Sequence, residues 1–274
     1  MPDTFQSRTE LLLGADGVER LRQAHVLVVG LGGVGGYAAE ALCRAGLGRL
    51  TIVDGDTVSQ SNINRQIIAL RSTVGRPKSE VFAERFRDIN PDCDVTAINT
   101  FLRDDEMINL LETGQLKWYA DVSPAATQAT QATKQSSNQT IKQSFDYLVD
   151  AIDTLSPKVF LLYHSRRLGI PTVSAMGSAG KLDPSKIQVA DIAQSYNCPL
   201  AAMVRKKLHK LGVRDGIKAV FSAEKPRESS MIEDPSQNKR TTVGVISYMP
   251  AMFGCLCAAT VINDLVGHQN DTNA

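Results

Sequence analysis

The stretch that decides the fold runs from His25 to Asp56. It reads His25-Val-Leu-Val-Val-Gly30-Leu-Gly32-Gly33-Val-Gly35-Gly36, a run rich in small residues, and then Leu50-Thr-Ile-Val-Asp54-Gly-Asp56. An apolar, β-branched strand meets a glycine cluster, a small-residue helix follows, and a second apolar strand ends in acid. This is the plan of a phosphate-binding βαβ unit. Gly30, Gly32 and Gly35 fit G-x-G-x-x-G: one for the tight turn, one for close backbone approach to phosphate, one for helix–strand packing. Free N–H groups opening the helix, with its dipole, attract anionic phosphate. Asp54 follows at about the usual ~20-residue spacing and is placed to accept hydrogen bonds from ribose hydroxyls. The motif does not name the nucleotide. A dinucleotide-dependent redox enzyme is its default reading, and a ligand-free strand–helix turn is the bland one.

Downstream comes a polar segment, Thr57-Val-Ser-Gln-Ser-Asn62-Ile-Asn64-Arg65-Gln66. It follows the carboxyl end of a strand, where open α/β sheets bind ligands. Asn62, Asn64, Arg65 and Gln66 supply donors at close spacing, and a guanidinium grips phosphate with a bidentate fork. Gly75-Arg76-Pro77-Lys78 then opens a helix over Ser79 to Asn90, with Pro77 near its first turn. Lys78 near a helix N-terminus opposes the dipole, which hints at an anionic ligand. A nicotinamide oxidoreductase has no use for this set.

Cys93 to Phe101 reads as a third strand and Arg103 to Leu116 as a helix. Asp121 to Ser144 is a low-complexity tract with few large apolar residues, expected to be a mobile surface insertion. Phe145 to Asp153 is a buried strand ending in acids, with Ser156-Pro157 starting a helix to about Leu168. Asp153 faces the same crevice as the glycine loop, where a carboxylate helps place Mg²⁺ on a triphosphate; the structural alternative is a helix cap. Strands follow at Ile170 to Met176, Ile187 to Ile192 and Gly216 to Ala223. Between them Pro199 to Leu211 is a basic helix carrying Arg205, Lys206, Lys207 and Lys210, either a solvated face or a surface for RNA phosphates. Pro226 to Thr242 is polar and expected to be disordered, and Gly244 to Leu265 is a core helix.

Composition sets bounds on these readings. The 274 residues and 43% apolar content suit one large globular domain, and the net charge of +1 gives no global pull toward DNA or membrane. Five scattered cysteines without a C-x-x-C pair argue against a four-cysteine zinc site and for a reducing cytosol. The start of the chain lacks a signal-peptide core, so the expected localisation is cytoplasmic. Only Met249 to Val266 approaches membrane-like character; its Pro250, Asn263 and Asp264 favour a buried helix and leave membrane association a weak alternative.

Five motifs, in order and spacing, resemble the ATP-dependent adenylylating enzymes of the ubiquitin-activating-like superfamily, which includes the sulfur-carrier adenylyltransferases. They are Gly30-Leu-Gly-Gly-Val-Gly35, Val53-Asp54-Gly-Asp56, Ser61-Asn62-Ile-Asn64-Arg65-Gln66, Gly75-Arg-Pro-Lys78 and Asp150-Ala-Ile-Asp153. The second half narrows the resemblance. Gly180-Lys-Leu-Asp-Pro-Ser-Lys-Ile-Gln-Val-Ala-Asp-Ile-Ala, Pro199-Leu-Ala-Ala-Met-Val-Arg-Lys-Lys-Leu and Val220-Phe-Ser-Ala-Glu224 look like the tRNA threonylcarbamoyladenosine dehydratase branch.

That resemblance implies an α/β, Rossmann-like fold over residues 1–274: a mostly parallel sheet with helices on both faces. A nucleotide-binding core spans 25–180, a smaller C-terminal mixed α/β extension 181–274, and a peripheral insertion 121–144. It implies that Gly30, Gly32, Gly33, Gly35 and Asp54 hold ATP, with Asp56 and Gln66 in the same set. Asn62, Arg65 and Lys78 would bind phosphates, and Asp153 would sit by Mg²⁺. Arg8, read from sequence alone as a surface charge, matches a family arginine lent to the neighbouring protomer, which implies a homodimer. The implied activity is ATP-dependent cyclisation of threonylcarbamoyladenosine in tRNA through a carboxylate adenylate, with a monovalent cation and a cysteine desulfurase system as further associations. Two alternatives stay open: an adenylyltransferase for a ubiquitin-like sulfur carrier, whose relatives carry the paired C-x-x-C ligands missing here, and a non-catalytic nucleotide fold that binds a desulfurase.

Overall fold

The computed structural model describes residues 4–116, 144–233 and 241–267. In chain order its elements are α1 (Ser7–Gln23), β1 (His25–Val29), α2 (Gly35–Arg44), β2 (Arg49–Val53), α3 (Lys78–Ile89), β3 (Asp94–Ile98), α4 (Asp104–Thr113), β4 (Tyr147–Asp150), α5 (Leu155–Arg167), β5 (Thr172–Ala175), β6 (Ile187–Asp191), α6 (Pro199–Lys210), β7 (Lys218–Ser222), β8 (Met231–Glu233), β9 (Thr241–Val243) and α7 (Tyr248–Val266).

Seven strands form one sheet in the order β3-β2-β1-β4-β5-β7-β6. All neighbours are parallel except β6, which runs antiparallel to β7 with Val189 opposite Val220. The order reverses between β1 and β4, and such a switch point opens a crevice at the carboxyl ends of the strands. The α/β, Rossmann-like class and the mostly parallel sheet expected from the motifs are found. Strands β7 and β6, from the second half of the chain, join this same sheet.

Side chains alternate across β1, and each face builds its own core. Val26 and Val28 meet Ala38 and Leu42 of α2, Phe82 and Phe86 of α3, and Phe253, Cys257 and Val261 of α7. Leu27 and Val29 meet Met107 and Leu110 of α4 and Leu161 of α5. A third cluster joins Val159 and Leu162 of α5 to Ala201, Val204 and Leu208 of α6. Helix α7 is long and apolar enough to cross a membrane by length and composition. Here it packs along α2, closely enough that a Cβ at Gly254 would stand 2.4 Å from the Val34 carbonyl oxygen.

Local departures from the sequence-based expectation have local causes. α1 is broken at Gly14, whose φ of 71° and ψ of 168° are non-helical, whereas Gly17, the other glycine expected to mark the break, stays helical. α5 starts at Leu155 with Thr154, not Ser156 or Asp153, in the N-cap position. Of the polar tract Pro226 to Thr242, expected to be disordered, residues 234–240 lie outside the described residues, while its described ends carry β8 and β9, paired antiparallel with Ile232 opposite Thr242. Backbone pairing there needs no apolar run. Apart from Ser144, the insertion expected at 121–144 lies outside the described residues.

Candidate nucleotide-binding site

The glycine turn sits at the carboxyl end of β1. Gly30 has a φ of 90°, which side-chain-bearing residues rarely adopt, and a Cβ there would stand 2.7 Å from the Ala151 carbonyl oxygen beyond β4. A Cβ at Gly35 would stand 1.8 Å from the Gly30 carbonyl oxygen, so the turn closes only with glycine at both positions. A Cβ at Gly33 would meet Pro250 of α7 at 2.9 Å and the Arg65 stem at 3.4 Å. Gly32 differs: the nearest heavy atom to its Cβ position is the Gln66 amide nitrogen at 3.8 Å. Three glycines therefore serve the protein's own packing, and the face at Gly32 is left clear.

Asp54 follows β2 beside this turn. Its carboxylate accepts from the Leu31 N–H at 2.6 Å and from the Asp56 N–H at 2.8 Å, which ties the acid to the glycine turn. A carboxylate has about four lone-pair sites, so it keeps capacity for ribose hydroxyls. Burial raises its pKa above the usual aspartate value, against the pull of Lys78 and of the two N–H groups. Phe101, just beyond β3 and 69% exposed, lays its ring against Gly55, next to Asp54.

Lys78 takes the first position of α3 and is buried. Its ammonium pairs with Asp56 Oδ2 at 2.8 Å, so a carboxylate of this chain answers the unfavourable dipole. Asn62 is buried; its Oδ1 accepts from the Ser59 N–H at 3.1 Å and closes a short 3₁₀ turn. Arg65 donates to the Ser61 carbonyl at 2.9 Å and to Asn64 Oδ1 at 2.8 Å. Asn64 in turn donates to the Val245 carbonyl at 3.1 Å, linking this segment to the entry of α7. Gln66 is buried beside Gly32, and its Oε1 has no hydrogen-bond partner among the described residues. A buried acceptor without a donor costs free energy, and the amide nitrogen of the same side chain is the atom nearest the clear face of Gly32.

Beyond β4, Asp153 is exposed at the crevice. Behind it stands a fully buried ion pair of which the sequence gives no sign: Lys158 Nζ lies 2.7 Å from Asp150 Oδ2. Ser174 of β5 donates to the same oxygen at 2.6 Å. A lysine in the second turn of a helix carries no mark of burial, and Ser174 lies inside an apolar strand. Among the described residues no cluster of three His, Cys, Asp or Glu side chains could hold a metal alone. One carboxylate plus phosphate oxygens is a usual magnesium arrangement, and Asp153 fits it.

Two sets of expected site residues lie elsewhere. Arg8 is exposed on α1, and Gln6, just before that helix, packs on Gly46 ahead of β2. That is the opposite end of the sheet from the glycine turn, so Arg8 does not join its own chain's cradle. The basic helix α6 presents Lys206, Lys207 and Lys210 to solvent, while Arg205 is half-buried and donates to the Ser195 carbonyl at 2.7 Å. The three lysines, with Leu155 and Met203, line a groove of about 240 Å³. Leu155 is the first residue of α5, two beyond Asp153 in sequence.

Comparison with known proteins shows what the chain resembles. The chain is 34% identical over 268 residues to the tRNA threonylcarbamoyladenosine dehydratase of Bacillus subtilis, covering 95% of this chain and 94% of that protein. It is 38% identical over 223 residues to the Escherichia coli enzyme of the same name, covering 79% of this chain and 72% of that protein. The crystal structure of E. coli tRNA N6-threonylcarbamoyladenosine dehydratase in complex with ATP superposes with a TM-score of 0.76 at 33% identity, covering 97% and 96% of the two chains. The same enzyme in complex with AMP gives a TM-score of 0.75 at 33% identity and covers 97% of each chain. Residues 6–274 match the ThiF family as a whole, and the chain belongs to that family.

Proposed function

We infer that this protein is an ATP-dependent tRNA threonylcarbamoyladenosine dehydratase that adenylylates the side-chain carboxylate of the modified nucleoside and closes it into a ring. The observation that carries this reading is the convergence of a glycine turn, Asp54 and a buried, paired Lys78 at the carboxyl ends of β1 and β2. Relatives of matching length bear that activity in their names, and one was crystallised with ATP and with AMP.

The chemistry follows from charge. A carboxylate is a poor electrophile because its oxide does not leave. Attack of the substrate carboxylate on the α-phosphate releases pyrophosphate and gives an acyl adenylate. A nucleophile of the same side chain then attacks the acyl carbon, the ring closes and AMP departs. The net change is loss of one water, and no protein nucleophile is needed.

This chain's residues bind and orient. Asp54 accepts from the ribose, and Phe101 offers an apolar wall beside it for the base. The N–H groups opening α2 and the clear face at Gly32 receive the phosphates, toward which Gln66 presents its amide. Arg65 and Lys78 stabilise charge gathering on phosphoryl oxygens. Each already has a partner in this chain, so the ligand shares the cation with Asp56 or Asn64. Asp153 would hold Mg²⁺, which when bound neutralises phosphate charge.

The lysine-rimmed groove suits the tRNA strand that flanks the modified nucleoside. Its cations meet phosphates, and its Leu155 and Met203 floor meets a base. Arg8, remote from its own cradle, fits a homodimer in which each copy completes the other's site. A cytoplasmic location follows from such a substrate.

The test is direct. Incubation with ATP, Mg²⁺ and threonylcarbamoylated tRNA, followed by digestion, should release a nucleoside lighter by one water, with AMP and pyrophosphate. An unchanged nucleoside together with pyrophosphate exchange stimulated by a small protein ending in Gly-Gly would favour the sulfur-carrier reading instead.

A further inference from the structure

The Asp150–Lys158 pair is the most completely buried charged feature among the described residues: both side chains are 0% exposed. The hydrogen bonds of the pair lead to one short piece of backbone. Asp150 Oδ1 accepts from the Ile152 N–H at 3.1 Å, and Lys158 Nζ donates to the Ile152 carbonyl at 3.0 Å. Ser174 Oγ completes the set by donating to Asp150 Oδ2 at 2.6 Å. Ile152 is therefore gripped through both its N–H and its carbonyl by a pair of opposite charges.

The residues on either side of Ile152 carry the site. Ala151 presents the carbonyl against which Gly30 turns, 2.7 Å from a Cβ at that position. Asp153 is the exposed carboxylate of the crevice. A buried ion pair gives little net stability, because desolvating two charges offsets their attraction, and a neutral pair of similar volume often does as well or better. Stability alone thus explains this pair poorly. What a charged pair in a dry interior supplies is fixed geometry for the groups it bonds.

We propose that Asp150 and Lys158 are positioning residues: they clamp the Ile152 peptide so that Asp153 is held in place for the magnesium of Mg·ATP. Neither touches the ligand. The inference rests on the adenylylation reading and says which buried groups set that site's metal dependence.

Lys158→Met alone strands a buried carboxylate and is a poor test, since unfolding would explain any loss. The double variant Asp150→Asn/Lys158→Met removes both charges at nearly constant volume. Thermal melts and ATP titrations, run with Mg²⁺ and with EDTA, read stability and metal dependence separately. The expected result is a melting temperature close to that of the unchanged protein, a rise of about tenfold in the Kd for ATP with Mg²⁺, and less than a roughly twofold change in EDTA. Misplacement by about 1 Å costs that much or more. Keeping the charge as Lys158→Arg on the unchanged Asp150 should retain part of the magnesium effect.

Equal Kd values for the double variant and the unchanged protein under both conditions would overturn the proposal, as would an equal loss with and without magnesium. If the double variant does not melt cooperatively, Ser174→Ala carries the same test, because it removes one bond to Asp150 and leaves both charges paired. A reduced magnesium effect then supports the clamp, and an unchanged one overturns it. If the unchanged protein itself shows no magnesium-dependent ATP binding, the functional reading fails first and takes the clamp with it, and that result is distinct from the other two.

Discussion

Lys78 and Asp56 form a 2.8 Å ion pair in which the lysine is buried and the aspartate is half in water. The pair is uneven: the exposed partner is well screened, so the bond itself contributes little to stability. Lys78→Met should therefore leave the melting temperature within a few degrees of the parent. Loss of a charged phosphate interaction should lower kcat/KM for ATP by roughly 10²-fold, in line with about 2–3 kcal/mol for such a bond. Asp56→Asn frees the ammonium and should change kcat/KM for ATP far less. Steady-state pyrophosphate release with both variants checks the asymmetry.

Two glycines separate folding from binding. A Cβ at Gly35 would collide with the Gly30 carbonyl oxygen at 1.8 Å, whereas a Cβ at Gly32 meets only the Gln66 amide at 3.8 Å. Gly35→Ala should cost several kcal/mol of stability, as steric and backbone clashes in a packed turn do. Gly32→Ala should fold within about 0.5 kcal/mol of the parent yet weaken ATP binding at least roughly tenfold. Denaturant melts and ATP titration distinguish these outcomes; normal ATP affinity in Gly32→Ala would mean that the clear face is not where phosphates lie.

Glu40 bolts α2 to α3. It accepts from Arg85 at 2.6 Å and from Arg44 at 2.9 Å, joining the two helices whose first turns face the crevice. Burial alone would raise its pKa, but the two arginines win and the value lies below 4.5. With the folded pKa depressed, the stabilisation is present above 4.5 and is lost as pH falls through the folded value. Glu40→Gln should thus destabilise by about 1.5–3 kcal/mol at about pH 7, the range for hydrogen bonds to charged groups. The gap between variant and parent should close on acidification below pH 4.5. A gap constant with pH would show that packing, not charge, accounts for the effect.

The groove on α6 separates tRNA from ATP. Lys206, Lys207 and Lys210 are exposed and Arg205 is tied to Ser195, so the lysines alone are suitable for charge reversal. The triple Lys→Glu variant should keep its melting temperature and ATP affinity but bind tRNA at least roughly tenfold more weakly. The slope of log affinity against log salt should become shallower by about 0.7–0.9 for each phosphate no longer neutralised. A filter-binding salt series reads this, and an unchanged slope would remove the groove from the RNA path.

Most of the fold is legible because a glycine turn between two apolar runs has few other solutions. The spacing from Gly30 to Asp54 puts the acid beside the turn, and the strand beyond Phe145 puts Asp153 at the same end of the sheet. What stays hidden depends on partners distant in sequence. Lys158 looks like any helix lysine until Asp150 and Ser174 are seen around it. Lys78 stands out of place at a helix start, but nothing in the sequence tells that Asp56, a candidate ligand residue itself, is the charge that answers it. The β8–β9 pair is invisible because backbone pairing leaves no mark on a polar composition. Phe101 belongs by composition to a strand, and its exposure beside Gly55 is set by where that strand ends.

Ser144 Oγ donates to the Glu112 carbonyl at 2.7 Å, and Gly114 lies against the same serine. The chain therefore departs after α4 and re-enters before β4 through a single doorway, at the amino-terminal rim of the sheet. The glycine turn and Asp153 lie at the opposite, carboxyl-terminal rim, so that doorway and the glycine turn are held apart by the length of β4.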